Sequence, residues 1–462
     1  LSRHRRQWLL AGCLLLAAAL RWPGFFANTF HGDEALFATW SREIATGRDV
    51  LLARQMVDKP PLFFYVQALF WPLHGPMAWA ARWPGVIASL VTVALIGRLS
   101  WRIWHNHATT LIAALAAATA PFLVQFGPSG FTDPVAFAFA LAALVAAAER
   151  KPRATGLWLA LALLTKYQAI SALPLLIALA PQRTFWRRAL PPLALGLALW
   201  LVWMIASGAL WRWGETGDAR LLTMLRPIYS RELWPRWHQW HAWFPPVWRV
   251  PVALWAAAGG VVLWWRGKSA DLALLLFLLI FALAHWLLAL PPYDRYLFPL
   301  VLGGTLALGR VLTLLLPRRS AIPLLLAALL LLPNGRHARD GGWQVGAHPR
   351  ADHGPATLAV HLADAPYGTV LYDHWHTWQW RYHLFDSAVY VVWMPHPSGL
   401  LDDLAAFHDD QRWISLPATP SADPFLRALR TGGYDLVPIG RAESADGLIL
   451  YKITRPDYRS PP

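Results

Sequence analysis

Apolar runs of roughly 15 to 20 residues, parted by short arginine clusters, recur from the N-terminus to about residue 333, and this pattern restricts the chain to a membrane fold. A bilayer core takes about 20 apolar residues as a helix, and a soluble domain has no use for so many runs of that length. The composition agrees: 56% of residues are hydrophobic and only 15% charged. The net charge of +15 does not point to nucleic acid. The basic residues fall between apolar runs, with no basic face interleaved with aromatics, which is the pattern that sets membrane topology. A single cysteine, Cys13, excludes an intrachain disulfide and a cysteine-based zinc site.

The opening LSRHRRQWLLAGCLLLAAAL has the basic and apolar parts of a signal peptide, but RWPGFF follows where a small-residue cleavage site would stand. The first run is therefore expected to stay as a span. Leu1 in place of Met points to a trimmed or alternative start. Arg3, Arg5 and Arg6 put the N-terminus inside, and the span of about Gln7 to Arg21 delivers the segment His31 to Pro61 to the outside. Leu62 to Leu73 is too short to cross and is expected along the interface. Spans follow at about Met77 to Leu99, Ala108 to Phe126 and Val135 to Ala148, the last returning to Glu149-Arg150-Lys151-Pro152-Arg153.

Between that cluster and Arg183 to Arg188 lies one apolar stretch broken by Thr165-Lys166-Tyr167. Two inside flanks require an even number of crossings. Each half has about a dozen residues, roughly 18 Å of helix, so the apex at Lys166 is expected below the outer surface. A lysine there needs water or an anion, since an unpaired charge near mid-membrane costs about 2.5 to 3.5 kcal/mol. Spans continue at Ala189 to Ser207, up to Trp264-Trp265-Arg266-Gly267-Lys268, Leu272 to Leu290, on to Arg318-Arg319, and Ala321 to Leu332, with Trp211 to Trp248 as a long outside loop. About eleven crossings result, N-terminus in and C-terminus out. Asp33, Glu34, Asp58, Lys59, Asp133, Lys166 and Asp294-Arg295 then share the outer side, although only Lys/Arg clusters set the direction.

From Asn334 the hydropathy drops. Short β-rich runs at Gly368 to Tyr372, Ala388 to Trp393, Leu436 to Ile439 and Gly447 to Ile453, with helix-compatible stretches such as Leu400 to Phe407, predict a small α/β domain outside the membrane over residues 334–462. The fold class is a polytopic α-helical membrane protein with that appendage.

Each charged candidate has an ordinary reading. Asp33-Glu34 could be a solvated pair. Asp133, or Thr132 before it, could start a span as its N-cap ahead of Pro134, and Lys59 could snorkel at the interface. Lys166 is harder to explain without a cavity. Asp373-His374-Trp375-His376 reads as an exposed loop, because two histidines at i, i+2 make a weak metal motif.

In order and spacing, DEA at Asp33, KPPL at Lys59, FTDP at Phe131, LTK at Leu164 and DRYLFP at Asp294 resemble the dolichyl-phosphate-mannose protein mannosyltransferase superfamily with its GT-C membrane fold. Its bacterial members, similar to the lipid A aminoarabinose transferases, resemble the chain most, over about residues 1 to 315. The resemblance implies transfer of a sugar from a polyprenyl-phosphate donor to a glycolipid (lipid A), glycan or protein acceptor at the outer face of the inner membrane. A lipid phosphate leaves without protonation, so the chemistry needs a base at the acceptor hydroxyl and cations at the departing phosphate, unlike the two-carboxylate glycosidases. Asp33 matches the family's base and Lys59 its phosphate-contacting lysine. Lys166 and Arg295 are further cationic candidates, and Glu34 and Asp133 would position hydroxyls. Asp58 stands where the aminoarabinose transferases carry a metal-site glutamate. A divalent metal is the one cofactor to consider, and His238, His241 or His285 would complete its ligands. The competing reading is a secondary transporter or lipid flippase with an outward-facing charged cavity, against which stand unmatched halves and the one-sided placement of the charges.

Overall fold

The computed structural model describes residues 3–26, 30–71, 78–212, 226–247, 252–290, 293–316, 322–342, 354–407, 411–443 and 447–455. Arg318-Arg319, Pro291-Pro292 and much of Trp211 to Trp248 lie outside them. Residues 1–26 and 41–346 form one compact unit, and residues 27–40 with 347–462 a second.

In the first unit the apolar runs are helical, since backbone in hydrocarbon must satisfy its own polar groups. The chain order is α1 (Arg3–Phe26), α2 (Gly32–Ala45, which starts in the second unit), α3 (Leu62–Ala68), α4 (Trp83–Trp104), α5 (His107–Thr119), α6 (Pro121–Phe126), α7 (Thr132–Ala148), α8 (Pro152–Thr165), α9 (Leu173–Leu179), α10 (Arg183–Ala206), α11 (Leu233–Val247), α12 (Val252–Arg266), α13 (Ser269–Leu287), α14 (Phe298–Leu315) and α15 (Ile322–Arg339). Among the described residues five helices are long and apolar enough to span alone: Gln7–Phe26, Ala78–Trp104, Arg183–Ala206, Ser269–Leu287 and Asp294–Leu315. His107–Thr119, Thr132–Ala148 and Tyr167–Leu179 are shorter apolar helices.

Small residues let the helices approach, because lipid supplies no hydrophobic drive between them. A Cβ on Gly156 of α8 would fall 1.9 Å from the Ala189 carbonyl of α10, and one on Gly309 of α14 would fall 2.7 Å from the Thr109 carbonyl of α5. Thr109 and Thr313 hydroxyls lie 2.8 Å apart across the same α5–α14 contact.

Three differences from the sequence expectation have local causes. The run Ala108 to Phe126 is broken at Ala120, where ψ is 121°, because Pro121 cannot donate to the helix. Buried Arg21 takes the freed carbonyls, donating to Ala118 O at 2.9 Å and Ala117 O at 3.2 Å, with Ser89 Oγ at 2.6 Å. The expected loop Trp211 to Trp248 contains a helix, α11, tied to α13 by Arg236 donating to His285 O at 2.7 Å and Leu290 O at 2.8 Å. A guanidinium at a helix C-terminus satisfies carbonyls left without intrahelical partners. The segment after His31 is helix α2, not loop.

The second unit carries a five-stranded sheet, order β2-β1-β3-β5-β4, from β1 (Val370–Asp373), β2 (Tyr390–Trp393), β3 (Arg412–Leu416), β4 (Asp435–Arg441) and β5 (Ile449–Thr454). β1 pairs in parallel with β2 and β3, and β5 is antiparallel to β3 and β4. Parallel neighbours need crossovers, supplied by α17 (Thr377–His383) and α18 (Pro397–Ala406), with α16 (Gly354–Leu358) before the sheet and α19 (Asp423–Thr431) after β3. The period of two along β1 separates two cores. Leu371 packs with Trp380, Leu384 and Leu450 on one face, and Tyr372 with Leu400, Ile414 and Phe425 on the other. β3 was not among the expected strands. It is the central strand, buried on both faces, so it lacks the half-polar alternation that marked the others.

Candidate functional site

In the first unit the structure gathers five of the residues singled out from the sequence. Lys166 interrupts two helices: α8 ends at Thr165, Lys166 is extended (φ −161°, ψ 130°), and a 3-10 turn at Tyr167–Ala172 leads into α9. The break at the hairpin apex aims the ammonium inward. Asp133 sits in the first turn of α7, where a carboxylate is favoured by the helix dipole. The expected N-cap role does not hold: Phe131 occupies that position and no side chain caps it. The Asp133 carboxylate turns instead to Lys166, Nζ to Oδ1 2.6 Å, with the two side chains 1% and 3% exposed.

Lys166 Nζ also lies 5.5 Å from the Tyr296 ring centroid, and the charges of Arg295 and Lys59 reach it. Arg295 stacks over Phe131 at 5.4 Å and Tyr293 at 4.6 Å. Its backbone N–H donates to Asp294 at 2.7 Å. Lys59 is ion-paired with the adjacent Asp58. Two sequence motifs thus pair directly through Asp133 and Lys166, and the cations of two others act on the lysine from nearby. One helical turn further along α7, and just beyond Lys166 in chain order, a small open apolar cleft is lined by Phe137, Leu141, Ser171, Leu175, Pro299 and Leu302 among others. Charge stands at one end of these elements and hydrocarbon along the next turns.

Asp33 and Glu34 belong to the second unit. Asp33 is half-buried at the second position of α2, and Glu34 is fully buried at the third. Two reciprocal bonds close this helix start. The Asp33 N–H donates to His31 Nδ1 at 3.1 Å, and the His31 N–H donates to Glu34 Oε2 at 3.1 Å. This is a variant of the capping box, with histidine in the place of serine or threonine and its ring taking the N–H of the second helical residue instead of the third. Glu34 therefore has a structural task that its sequence position did not announce.

Among the described residues no three His, Cys, Asp or Glu side chains come together as a metal set. Asp58 is engaged by Lys59, His238 is exposed, and His285 Nδ1 lies 3.0 Å from Phe281 O. The side chain of His241 lies outside the described residues. Among the described residues Asp58, His238 and His285 therefore do not form a common ligand set. The cluster Asp373-His374-Trp375-His376 is not an exposed loop either. Asp373 is 1% exposed at the end of β1 and accepts from Ser415 Oγ at 2.6 Å, His376 N at 2.6 Å and Thr377 Oγ1 at 3.0 Å. Burial pushes its carboxyl above the ordinary range, against the lowering pull of those donors. The end of a strand flanked by two parallel neighbours lies deep in the fold, a placement that the polar letters alone do not reveal.

The sequence reading passed over other buried charges. Arg310 and Asp271 pair at 3.0 Å, with Trp104 Nε1 donating to Asp271 at 2.6 Å, and so join α4, α13 and α14. The available signal was a charge inside or beside an apolar run, which in a membrane rarely lacks a partner.

Residues 58–207 match the family model of dolichyl-phosphate-mannose-protein mannosyltransferase. The chain has the fold of ArnT from Cupriavidus metallidurans in the apo state, at 15% identity and TM-score 0.65, covering 96% of this chain and 98% of that one. The same protein bound to undecaprenyl phosphate gives 14% identity and TM-score 0.62 over 100% of both chains. The archaeal oligosaccharyltransferase AglB from Archaeoglobus fulgidus, in complex with an inhibitory peptide and a dolichol-phosphate, gives 10% identity and TM-score 0.55 over 99% of this chain and 75% of that one. Comparison with curated protein sequences gives no match.

Proposed function

We propose that this chain is an inverting glycosyltransferase of the inner membrane, with the roughly eleven crossings implied by charge alternation, that moves a sugar from a polyprenyl phosphate to an acceptor at the outer face. The observation that carries the reading is the buried Lys166–Asp133 pair, with half-buried Arg295 and Lys59 near enough for their charges to act on the lysine, followed along the same helices by a small apolar cleft. A polyprenyl-phosphate sugar has this polarity: an anionic head, singly charged as the diester and doubly charged once the sugar has left, and a hydrocarbon tail. Similarity to a fold solved with undecaprenyl phosphate supports the same donor class.

In the reaction the acceptor oxygen attacks the anomeric carbon as the bond from that carbon to the phosphate oxygen breaks, and polyprenyl phosphate leaves. Asp33, matching the family's base, takes the acceptor proton. Lys59, Lys166 and Arg295 stabilise the charge that grows on the leaving phosphate, which therefore needs no proton. Attack opposite the leaving group inverts the anomeric carbon. Asp133 holds Lys166 through one oxygen, and the family resemblance gives its carboxylate the task of positioning a sugar hydroxyl.

The test is mass spectrometry of envelope lipids and surface glycans from cells with and without the protein. A sugar mass lost with the protein and restored on complementation names donor and acceptor together. Identical profiles would overturn the reading.

A further inference from the structure

The second unit contains both the C-terminal sheet and residues 27–40, hence the start of α2 and its Asp33. Phe30, 2% exposed, packs edge-on against Tyr382 of α17, ring centroids 4.7 Å apart at 77°, and lies 6.5 Å from His383. Gln379, on the same helix and 4% exposed, donates through Nε2 to Phe30 O at 3.4 Å. The residue after Phe30 is His31, whose ring and N–H form the cap that fixes Asp33 and Glu34. The start of α17 is in turn pinned to the sheet, for Asp373 accepts from His376 N and Thr377 Oγ1, while Ser415 Oγ joins Asp373 to Trp380 Nε1 at 2.6 and 3.0 Å.

We infer that the C-terminal α/β domain is a positioning element for the catalytic base: Gln379 and Tyr382 clamp Phe30 and so set where Asp33 stands. The inference rests on the reading of Asp33 as base given above. Phe30 stands three residues before Asp33 and is held by two buried contacts, and small misplacements of a catalytic group cost large factors in rate.

The experiment uses the full-length protein returned to membranes of the deletion strain, which supply native donor and acceptor. Rate of product formation is followed by mass spectrometry, and affinity is measured with undecaprenyl phosphate as the probe. Tyr382→Ala and Gln379→Ala are expected to slow product formation about tenfold with undecaprenyl phosphate affinity changed less than about twofold, and Tyr382→Phe, which keeps the ring, to restore the rate. In an Asp33→Asn background the same Tyr382→Ala change is expected to cost almost nothing further, because two residues acting through one step are not additive. A loss of folded protein would lower both backgrounds by the same factor, and that result would overturn the inference. So would a wild-type rate in Tyr382→Ala and Gln379→Ala together with a crippled Asp33→Asn. Unimpaired turnover in Asp33→Asn alone would sink the assignment of the base, and the inference with it.

Discussion

Lys166 Nζ donates to Asp133 Oδ1 at 2.6 Å with both side chains buried, so the lysine at the break of one helical hairpin is held by the first turn of the helix before it. Removing one partner leaves an uncompensated buried charge, which costs about 3 to 5 kcal/mol. Asp133→Ala is expected to lower the thermal midpoint of the purified protein in detergent, and Asp133→Ala with Lys166→Met to recover much of it. Lys166→Met alone should also weaken undecaprenyl phosphate binding. Unchanged binding in that variant would remove Lys166 from the phosphate site.

Asp33 and Lys59 are assigned to different steps, so their variants should separate in kinetics. Asp33→Asn should reduce turnover by about 10² to 10⁴, the usual worth of a positioned base, while the donor still binds. Lys59→Ala should act mainly on donor binding, measured by titration with undecaprenyl phosphate. Normal turnover in the first variant would end the case for Asp33 as base.

Glu34 offers a choice between charge and cap. A glutamine can accept the His31 N–H as a glutamate does, so Glu34→Gln is expected to retain most activity and stability. Glu34→Ala should cost about 0.5 to 2 kcal/mol, the range for loss of a helix cap. If Glu34→Gln abolished turnover in the membrane assay while the thermal midpoint held, the carboxylate would have a chemical role that the cap does not explain.

Glu149, between α7 and α8, predicts a pH dependence. Burial raises its carboxyl, but hydrogen bonds from Lys151 and Arg98 and the charges of Arg98 and Arg102 outweigh this and hold it down to about 2 from an ordinary 4.5. The folded-state value is depressed, so the stabilisation is present above pH 4.5 and is lost as pH falls toward 2. Arg98 and Arg102 are half-exposed, and salt should weaken the effect. Thermal midpoints measured from pH 6 down to about pH 3 should fall less steeply in Glu149→Gln than in the wild type; parallel curves would dismiss the cluster as a stabilising one.

Much of the membrane part was legible in the letters. Hydropathy is a local property, and the helices around Gln7, Ala78, Thr132 and Arg183 follow their apolar runs to within a few residues. The break at Lys166 was readable for the same reason: a charge flanked by two short apolar halves leaves the backbone few alternatives. β3 escaped because its letters carry no clean period, and α11 because its tryptophans at every third position, Trp234, Trp237, Trp240 and Trp243, stand among charged residues and prolines that read as loop. The cores of β3 are on both faces, and α11 is held by Arg236 reaching the carbonyl end of α13. The candidate site was legible as a set of residue types, not as a set of pairs.

By itself the sequence determined that the chain crosses a membrane, where most helices run, and which charges are too costly to be idle, because burial in lipid is decided residue by residue along a run. Only the tertiary structure decided what those charges do. Asp133 meets Lys166 across 33 residues, and Gln379 meets Phe30 across 349. Contacts at such separations depend on how helices and strands pack, and packing is a property of surfaces that no local pattern encodes.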